Sequence, residues 1–428
     1  TPAPDGGRGA CAVRQAGLVA VGVRALAVLW LSVSALPAGA LDPDKRLHQY
    51  VANRWSIEQG LPQITVAALA QDSAGYLWVG THAGAARFDG IRFSNVLAAD
   101  HPGMPGGMVQ SMAATADGTV WIGTYKGLGR WRQGRLDSLP LADAPEGAVL
   151  DVFQVRVFGD QVHVASSAGA LRVEGDALAR VALPRDEPVF GLAVVDATTW
   201  YGATGGLWRK DGSGNAWLPL PEDHAQTRVR HIHADAAGRL WIGTARGLFR
   251  LAPGDTQPQP VRPNDARFRQ PIEAMLEDRQ GNLWIASADH LLRFRDGRLQ
   301  DSAGPGHPLI PGGLRSLHED GEGNLWMGSQ TDGVTRLWNG WTHRYSQAEG
   351  LHEPVLWSVA RRPDGAILLG SADGLSVLEG DRIRLLVPGA ALPHPHAYTL
   401  LVDGEALWIG TRGGLVRMDD GQVHTPPG

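Results

Sequence analysis

Cysteine is almost absent from this sequence, since Cys11 is the only one among 428 residues. It lies in the N-terminal leader, so the rest of the chain has no thiol for a disulfide framework, a thiolate metal site or a cysteine nucleophile. Lysine is nearly as rare, and none of the three lysines follows a glycine, which excludes a phosphate-binding loop of the Walker type. No Gly-x-Ser-x-Gly elbow of a serine hydrolase occurs either. The sequence therefore contains no recognisable catalytic constellation.

An excess of positive charge is also missing. The formal net charge is −5 at pH 7, which argues against a nucleic-acid-binding surface. The sequence accordingly predicts no nucleic-acid partner, and it gives no sign of a resident metal or of any other cofactor.

Long apolar runs are absent, with one short exception near the N-terminus. Arg14 and Arg24 precede an eleven-residue apolar run, residues 25–35, and the small residues Ala38-Gly39-Ala40 follow it. A basic region, a short apolar region and an A-x-A site are typical of a secretory signal peptide. A membrane anchor would need about 20 apolar residues. Residues 1–40 are therefore predicted to be a signal peptide, cleaved after Ala40, that exports the protein to the periplasm.

No long helical pattern follows the leader, whereas 56 glycines and 28 prolines favour many turns. Residues 71–88 contain Asp72, Gly75, Leu77 to Thr81 (Leu-Trp-Val-Gly-Thr), Gly84 and Arg87, and this skeleton returns along the chain. If Trp78 is taken as the reference, the equivalent residues are Trp121, His163, Trp200, Trp241, Trp284, Trp326, Leu368 and Trp408, at steps of 37 to 43 residues. A period of about 40 residues indicates a repeat architecture.

Each part of the repeat has a structural explanation. The segment before Asp72 is apolar or alternating, as in a strand, and Asp-x-x-Gly is typical of a hairpin turn. Leu-Trp-x-Gly-Thr predicts a second strand, the next glycine a second turn, and the segments after it a third and a fourth strand. Four short antiparallel strands in each repeat form one blade of a β-propeller. The predicted fold class is therefore all-β.

The opening of the chain sets the number of blades. Residues 50–63 (Tyr50 to Gln63) have one partial copy, in which Gly350 corresponds to Gly60, 290 residues earlier. Seven repeats lie in that interval. The sequence thus predicts a seven-bladed β-propeller over residues 41–340 and the first two blades of a second propeller over residues 341–428. The strand near Tyr50 to Trp55 should close the ring by joining the blade that contains Trp326.

The segment Trp55-Ser-Ile-Glu-Gln-Gly-Leu-Pro62, followed by Asp72 to Thr81 and by Arg87-Phe-Asp-Gly90, resembles the opening of the two-component regulator propeller family. The resemblance covers residues 50–420, and it departs from the family pattern at His163, at Leu368 and at Ala286-Ser287. It implies the periplasmic region of a bacterial sensor with two seven-bladed propellers, an immunoglobulin-like domain, a membrane helix and a histidine kinase or diguanylate cyclase. By that resemblance the chain is expected to be truncated. The segments for membrane attachment and signal output, and the contacts of a possible homodimer of the full-length protein, would then lie outside the present sequence.

The repeated tryptophans and arginines are interpreted as architecture. The repeated tryptophans, such as Trp241, should pack between neighbouring sheets, and the repeated arginines, such as Arg250, indicate architecture more than ligand recognition. Recognition is expected where the repeats differ, in the loop that joins the second and third strands of each blade. The candidate ligand-binding residues in these loops are His82, Tyr125, Lys126, Arg246 and Gln330, which we expect to converge on one mouth of the central channel. The alternative is that they are ordinary solvated turn residues.

Two histidine pairs occur at short spacing. His231 and His233 alternate on a predicted strand and so share one face, as two metal ligands would, but such a pair is more often part of a partly exposed strand face. His394 and His396 lie in a loop.

Two classes of function agree with the sequence. The first is a non-catalytic sensor region that binds an extracellular small molecule or oligosaccharide. The second is a secreted propeller enzyme, either a polysaccharide lyase or a glycoside hydrolase. Hydrolysis would require a pair of carboxylates facing a cleft, whereas the aspartates of this chain are concentrated at hairpin turns. The first class is therefore favoured. A protein-binding scaffold is a third option.

Overall fold

The computed structural model describes residues 40–425 except for residues 146, 311, 341, 381 and 420. In this part of the chain, every regular element longer than three residues is a β-strand. Six single-turn 3₁₀ helices accompany the strands: Leu47–Gln49, Ile57–Gln59, Glu222–His224, Ala266–Phe268, Gln347–Glu349 and Gly389–Ala391. The predicted signal peptide lies outside the described residues apart from Ala40. No helix among the described residues is both long enough and apolar enough to span a membrane.

The chain divides into two compact units, one that ends at Asn339 and one that begins at Gly340. The first unit contains seven four-stranded antiparallel sheets. Their strands are β1 (Val51–Trp55); β2 to β5 in sheet 1 (Val66–Gln71, Leu77–Thr81, Gly84–Phe88, Phe93–Val96); β6 to β9 in sheet 2 (Val109–Ala114, Val120–Thr124, Gly127–Arg132, Arg135–Leu139); β10 to β13 in sheet 3 (Val152–Phe158, Gln161–Ser166, Gly169–Glu174, Ala177–Arg180); β14 to β17 in sheet 4 (Gly191–Val195, Thr198–Ala203, Gly206–Asp211, Gly214–Pro219); β18 to β21 in sheet 5 (Val229–Ala234, Leu240–Thr244, Gly247–Leu251, Gln259–Pro260); β22 to β25 in sheet 6 (Ile272–Glu277, Asn282–Ser287, Leu291–Arg295, Arg298–Ala303); and β26 to β28 with β1 in sheet 7 (Leu314–Glu319, Leu325–Ser329, Val334–Trp338).

The second unit contains two further sheets of the same kind. Their strands are β29 to β32 in sheet 8 (Leu356–Arg361, Ile367–Ser371, Gly374–Glu379, Arg382–Pro388) and β33 to β36 in sheet 9 (Thr399–Asp403, Ala406–Thr411, Gly414–Asp419, Gln422–His424). The all-β propeller architecture predicted from the sequence is thus confirmed.

The sheets of the first unit form a closed ring. Their first strands, β2, β6, β10, β14, β18, β22 and β26, each contact the next, and β26 contacts β2. Sheet 7 combines the two ends of the unit, because β1 pairs antiparallel with β28, with Asn53 opposite Arg336. The indole of Trp338 donates a hydrogen bond to Asn53 Oδ1 at 2.7 Å across this pair. The predicted closure by the segment near Tyr50 to Trp55 is confirmed.

The core lies between neighbouring sheets. Six of the repeated tryptophans, Trp78, Trp121, Trp200, Trp241, Trp284 and Trp326, are buried. Trp78, for example, belongs to a cluster with Val109 and Ile122 of the following sheet. The interpretation of these tryptophans as packing residues is confirmed, since burial of large apolar side chains between the sheets is the main source of stability in this arrangement.

The aspartate of the hairpin turn holds the tryptophan as well as the turn. Asp235 Oδ1 accepts hydrogen bonds from the backbone N–H groups of Ala237 and Arg239, each at 3.0 Å, while Oδ2 accepts the indole N–H of Trp241 at 2.8 Å. The same indole bond is formed by Trp78, Trp284 and Trp326. Because tryptophan follows aspartate by six residues, one carboxylate both stabilises the hairpin turn and accepts the indole hydrogen bond.

Threonine in the Gly-Thr pair fixes the next turn. Thr81 Oγ1 donates a hydrogen bond to the carbonyl of Gly84 at 2.8 Å, and Thr124 and Thr244 do the same for Gly127 and Gly247. Gly84 and Gly247 have φ of 146° and 120°, in the region that favours glycine. The loop between the second and third strands is consequently short and of fixed shape.

Candidate ligand-binding site at the mouth of the central channel

The first strand of each sheet is also the innermost one, so the seven first strands surround a central channel. The cavity has a volume of about 720 Å³. Each inner strand pairs with a neighbour on only one side, and its other edge presents backbone N–H and C=O groups to the channel. A closed, polar-edged channel of this size can accommodate a small ligand.

Six of the seven first strands carry a β-bulge at the same place, one residue after the strand begins. The bulged residues are Ala67, Gln110, Phe153, Arg230, Glu273 and Arg315. All six line the channel. A β-bulge changes the direction in which one side chain points, so that this side chain no longer follows the regular alternation between the two faces of the strand. Here it directs these residues to one end of the channel, and we call this end the mouth.

Charged residues from three neighbouring sheets meet at the mouth. Glu273 accepts a hydrogen bond from Arg230 Nη1 at 3.2 Å on one carboxylate oxygen and from Arg315 Nη1 at 3.1 Å on the other. Arg315 Nη2 donates to Gln330 Oε1 at 3.1 Å. One carboxylate thus holds two guanidinium groups, and the cluster retains a net positive charge.

An aromatic pair lies on another side of the mouth. Phe153 of sheet 3 and Phe190, next to the first strand of sheet 4, have ring centroids 5.0 Å apart with an interplanar angle of 35°. The guanidinium of Arg228 lies 4.9 Å from the centroid of the Phe190 ring. Sheet 4 lacks the bulge, and the backbone N–H of Phe190 donates directly to the carbonyl of Gly202.

A hydrogen-bonded pair completes the mouth. Gln110 Nε2 donates to Asp151 Oδ1, and the backbone N–H of Asp151 donates to Ser167 Oγ at 3.1 Å. Gln110 belongs to β6 of sheet 2 and Asp151 directly precedes β10 of sheet 3, so this hydrogen bond also bridges two blades.

Two further basic side chains, Arg156 and His231, line the channel. Burial lowers the pKa of the Arg156 guanidinium from its usual value, and no described carboxylate offsets this effect. Burial, together with the charges of Arg156 and Arg230, lowers the pKa of His231 to about 3. His231 is therefore neutral at physiological pH, and Arg156 provides a positive charge inside the channel.

The channel wall is more positive than the molecule as a whole. Its lining includes four arginines (Arg156, Arg228, Arg230, Arg315) and two carboxylates (Asp151, Glu273). The whole chain, by contrast, has a net charge of −5. Low-dielectric walls that carry one sign of charge concentrate ions of the opposite sign. The channel is thus suited to an anionic ligand.

The structure brings two of the five predicted loop residues to this site. His82 lines the channel, and burial, followed by the charge of Arg315, lowers its pKa. Gln330 contacts Arg315, as described above. Tyr125, Lys126 and Arg246 are not among the residues that line the channel.

All five residues lie in loops that join the second and third strands of a sheet, so the position of the loop does not separate them. The contacts of the side chains do. The ammonium group of Lys126 lies 5.2 Å from the ring centroid of Tyr125, and Arg246 donates to the backbone carbonyl of Asp223 at 3.1 Å. These three residues contact side chains and backbone groups that do not line the channel.

Sequence reasoning missed the bulged residues. The signal was present: eleven residues before the reference tryptophan, polar or charged residues (Gln110, Arg230, Glu273, Arg315) interrupt strands that are otherwise mostly apolar. A bulge cannot be recognised from the spacing alone, since regular alternation would place these side chains on a face between blades.

The histidine pair of β18 does not form a metal site with its described neighbours. His233 Nε2 is 2.7 Å from Glu277 Oε2, whereas His231 faces Arg156 and Arg230. No cluster of three or more metal-ligating side chains occurs among the described residues.

Comparisons with known proteins agree with this architecture. The model of the family "Two component regulator propeller" matches residues 60–83, 103–126 and 268–289. An extracellular domain assigned to a hybrid two component system of B. thetaiotaomicron superposes with a TM-score of 0.70 at 21% identity, over 88% of this chain and 54% of that chain. A second extracellular domain from the same organism, assigned to a one component system, has a TM-score of 0.54 at 20% identity, over 87% and 52%.

The propeller fold is also shared with an enzyme. Virginiamycin B lyase from Staphylococcus aureus superposes with a TM-score of 0.53 at 15% identity, over 67% of this chain and 99% of the lyase. This chain spans about half the length of the two extracellular domains that it resembles. At these identities the solved structures establish a common fold. No curated protein sequence matches this chain significantly.

Proposed function

Because this chain belongs to the two component regulator propeller family, we propose that it is the exported sensor region of a signalling protein and binds an acidic oligosaccharide at the channel mouth of the first unit. Binding would be passed to a histidine kinase or diguanylate cyclase domain that the chain itself does not contain. The shared fold with extracellular sensor domains supports the location and the role.

One observation carries the ligand class: an aromatic pair and a cluster of arginines occur together at the mouth. A guanidinium group binds a carboxylate through two parallel, charge-assisted hydrogen bonds. Arg230 and Arg315 each donate one hydrogen bond to Glu273. Each guanidinium group has further N–H donors that can bind a ligand. Phe153 provides an apolar surface for a sugar ring beside them. A uronic acid unit, which joins a pyranose ring to a carboxylate, combines both requirements.

The same contacts argue against hydrolysis. Both oxygens of Glu273 are engaged by arginines, and Asp151 is bonded to Gln110. A glycoside hydrolase needs one carboxyl group that donates a proton and a second that acts as base or nucleophile. The two channel carboxylates are instead engaged in holding neighbouring side chains. The alternative of a secreted propeller lyase or glycoside hydrolase is thus less well supported.

The proposal is tested by calorimetric titration of the protein with tri-galacturonate and with its methyl ester, which keeps the rings but removes the charges. We expect saturable binding of the acid without turnover, and binding of the ester about ten-fold weaker or more. Arg230→Gln and Arg315→Gln should each weaken binding of the acid to a similar extent.

Arg246→Gln is the matched control, because it removes the same charge from a loop residue outside the channel lining. We expect this variant to bind like the unmodified protein. If Arg246→Gln weakens binding and Arg230→Gln does not, the loop residues form the site and the mouth does not. Release of shortened or unsaturated sugars would favour the enzyme.

A further inference from the structure

The second unit repeats the bulge of the first. In β29, Leu356 pairs with Ser371 and Ser358 with Gly370, so that Trp357 is the bulged residue. Its position corresponds to that of Phe153 and Arg230 in the first unit. Trp357 is 48% exposed, which is unusual for a tryptophan, since this residue type is mostly buried in soluble proteins.

Sheet 9 repeats the exception found in sheet 4. It lacks the bulge, and the backbone N–H of Tyr398 donates to the carbonyl of Gly410, as Phe190 does to Gly202. Tyr398 therefore occupies the position of Phe190. In both units a bulged aromatic residue is followed, in the next sheet, by an aromatic residue without a bulge.

The geometry of the two aromatic pairs is similar. The ring centroids of Trp357 and Tyr398 lie 5.2 Å apart with an interplanar angle of 47°. The guanidinium of Arg412 lies 5.5 Å from the centroid of the Tyr398 ring, as that of Arg228 lies over Phe190. The second unit thus reproduces the combination of aromatic pair and arginine with different residues and from a different loop, since Arg412 lies between the second and third strands of sheet 9.

Further side chains hold this surface in place. His396 Nδ1 and Tyr398 Oη are 2.9 Å apart, and the His396 ring stacks against Trp357 with centroids 6.3 Å apart. The rings of His394 and His396 lie edge to face at 4.7 Å. A hydrogen-bonded network of this kind fixes the orientation of Tyr398 and His396, while Trp357 remains open to solvent. A rigid, exposed aromatic surface binds a ring with little loss of conformational entropy.

The positive charge of Arg412 favours an anionic ligand over a cationic one. An aromatic cage could bind a quaternary ammonium group, but Arg412 already occupies the face of Tyr398 and would repel a cation. A ring that carries a carboxylate can lie on Trp357 and bind Arg412 through its charge. Arg412 is exposed, and its guanidinium has no hydrogen-bonded or ionic partner among the described residues, so its N–H groups can bind a carboxylate.

We propose that Trp357, Tyr398 and Arg412 form a second binding site for an acidic sugar, within the second unit and independent of the channel mouth. The proposal shares its ligand class with the proposed function but depends on a separate set of residues. One chain would therefore bind two acidic sugar units, one in each unit.

The test is calorimetric titration of the full chain with tri-galacturonate, with the stoichiometry as the main readout. We expect two sites in the unmodified protein. Trp357→Ala and Arg412→Gln should each remove one site or weaken it about ten-fold or more, and Trp357→Phe should retain it. Val359→Ala is the matched control, because Val359 lies on the same strand and is 65% exposed. Far-ultraviolet circular dichroism establishes that each variant is folded.

The outcomes separate the two proposals. A single site that is lost in Arg230→Gln and unchanged in Trp357→Ala overturns the second site and leaves the proposed function intact. A single site that is lost in Trp357→Ala and unchanged in Arg230→Gln supports the second site and overturns the role of the channel mouth. Equal weakening by Val359→Ala, or no binding of the acid by the unmodified protein, overturns the second site as stated.

Discussion

The indole of Trp241 donates a hydrogen bond to Asp235, and three other sheets of the first unit repeat this bond. Burial opposes ionisation of Asp235, but the bonds from Trp241 and Arg239 outweigh it and lower the pKa of the carboxyl group. Sheet 2 differs because its aspartate, Asp117, comes four residues before Trp121 and not six. Trp121 Nε1 is buried without a hydrogen-bond partner among the described atoms.

This difference provides a matched pair of variants. Asp235→Ala should lower the free energy of unfolding by about 1–3 kcal/mol more than Asp117→Ala does, because only the first leaves a buried indole N–H unsatisfied. Urea unfolding at pH 7, followed by circular dichroism, measures both values. Equal losses would mean that the turn, and not the indole bond, accounts for the effect of the aspartate.

His318 in β26 predicts a dependence of stability on pH. Burial, only partly offset by Asp320, lowers the pKa of His318 to about 4, and its Nε2 has no hydrogen-bond partner among the described atoms. The unfolded chain takes up this proton at a pKa of about 6.5. Stability is therefore highest above that value and is lost as the pH falls from there toward 4.

Replacing His318 by alanine, the residue at the equivalent positions 70 and 113, should remove this dependence. Between pH 7 and pH 5 the free energy of unfolding should fall less in His318→Ala than in the unmodified protein, by up to about 2 kcal/mol. Urea unfolding at the two pH values measures the difference. His101→Ala tests whether the loss of any histidine has the same effect. Identical pH dependence in His318→Ala and the unmodified protein would contradict the neutral, buried state.

At the scale of secondary-structure elements, two features decide the architecture: the bulges of the inner strands and the closure of sheet 7. Because of the bulges, side chains that would otherwise lie between two blades lie at the mouth of the channel. In the closing sheet, Trp55 of β1 stacks on Trp326 with centroids 5.3 Å apart and meets Phe88 of sheet 1 edge to face at the same distance. One strand from the start of the unit thereby completes sheet 7 and packs against sheet 1.

The register of this closure predicts where a disulfide can form. Arg54 and Thr335 are directly opposed in β1 and β28, and directly opposed residues have Cβ atoms about 4.5–5.5 Å apart. The double variant Arg54→Cys/Thr335→Cys should therefore oxidise spontaneously and raise the thermal midpoint, because the bond closes a very long loop. Non-reducing electrophoresis and thermal denaturation measure the two effects. Asn53→Cys/Thr335→Cys is offset by one residue, places the thiols on opposite faces, and should stay reduced. A bond in the offset variant alone would contradict the register.

At the scale of the whole molecule, the boundary at Asn339 and Gly340 separates two compact units. Compact units are joined where few contacts cross, and such joints are the preferred sites of proteolysis. Limited proteolysis should therefore cut first within residues 339–351 and leave a resistant fragment that ends near Asn339. Mass spectrometry of the fragments over time identifies the first cut. Initial cleavage inside the first unit, or equal resistance of residues 340–425, would contradict this.

The sequence by itself determined the class of the fold, because its signals are local. Asp-x-x-Gly forms a turn through bonds within six residues, and Leu-Trp-x-Gly-Thr alternates with the period of a strand, so both were recognisable in Asp235 to Thr244. The closure through β1 also followed from the sequence, since the partial copy of residues 50–63 marks where the repeat count restarts.

Only the tertiary structure decided the site. Whether a side chain such as Arg230 points between two sheets or into the channel depends on a one-residue bulge, and the sequence pattern of β18 and β19 does not reveal this shift of register. The loop residues Tyr125, Lys126 and Arg246 were predicted at the mouth, but they are not among the residues that line it. Trp357 follows the same rule in the second unit. It is the bulged residue of β29 and is 48% exposed, and neither property was recognisable from the sequence pattern.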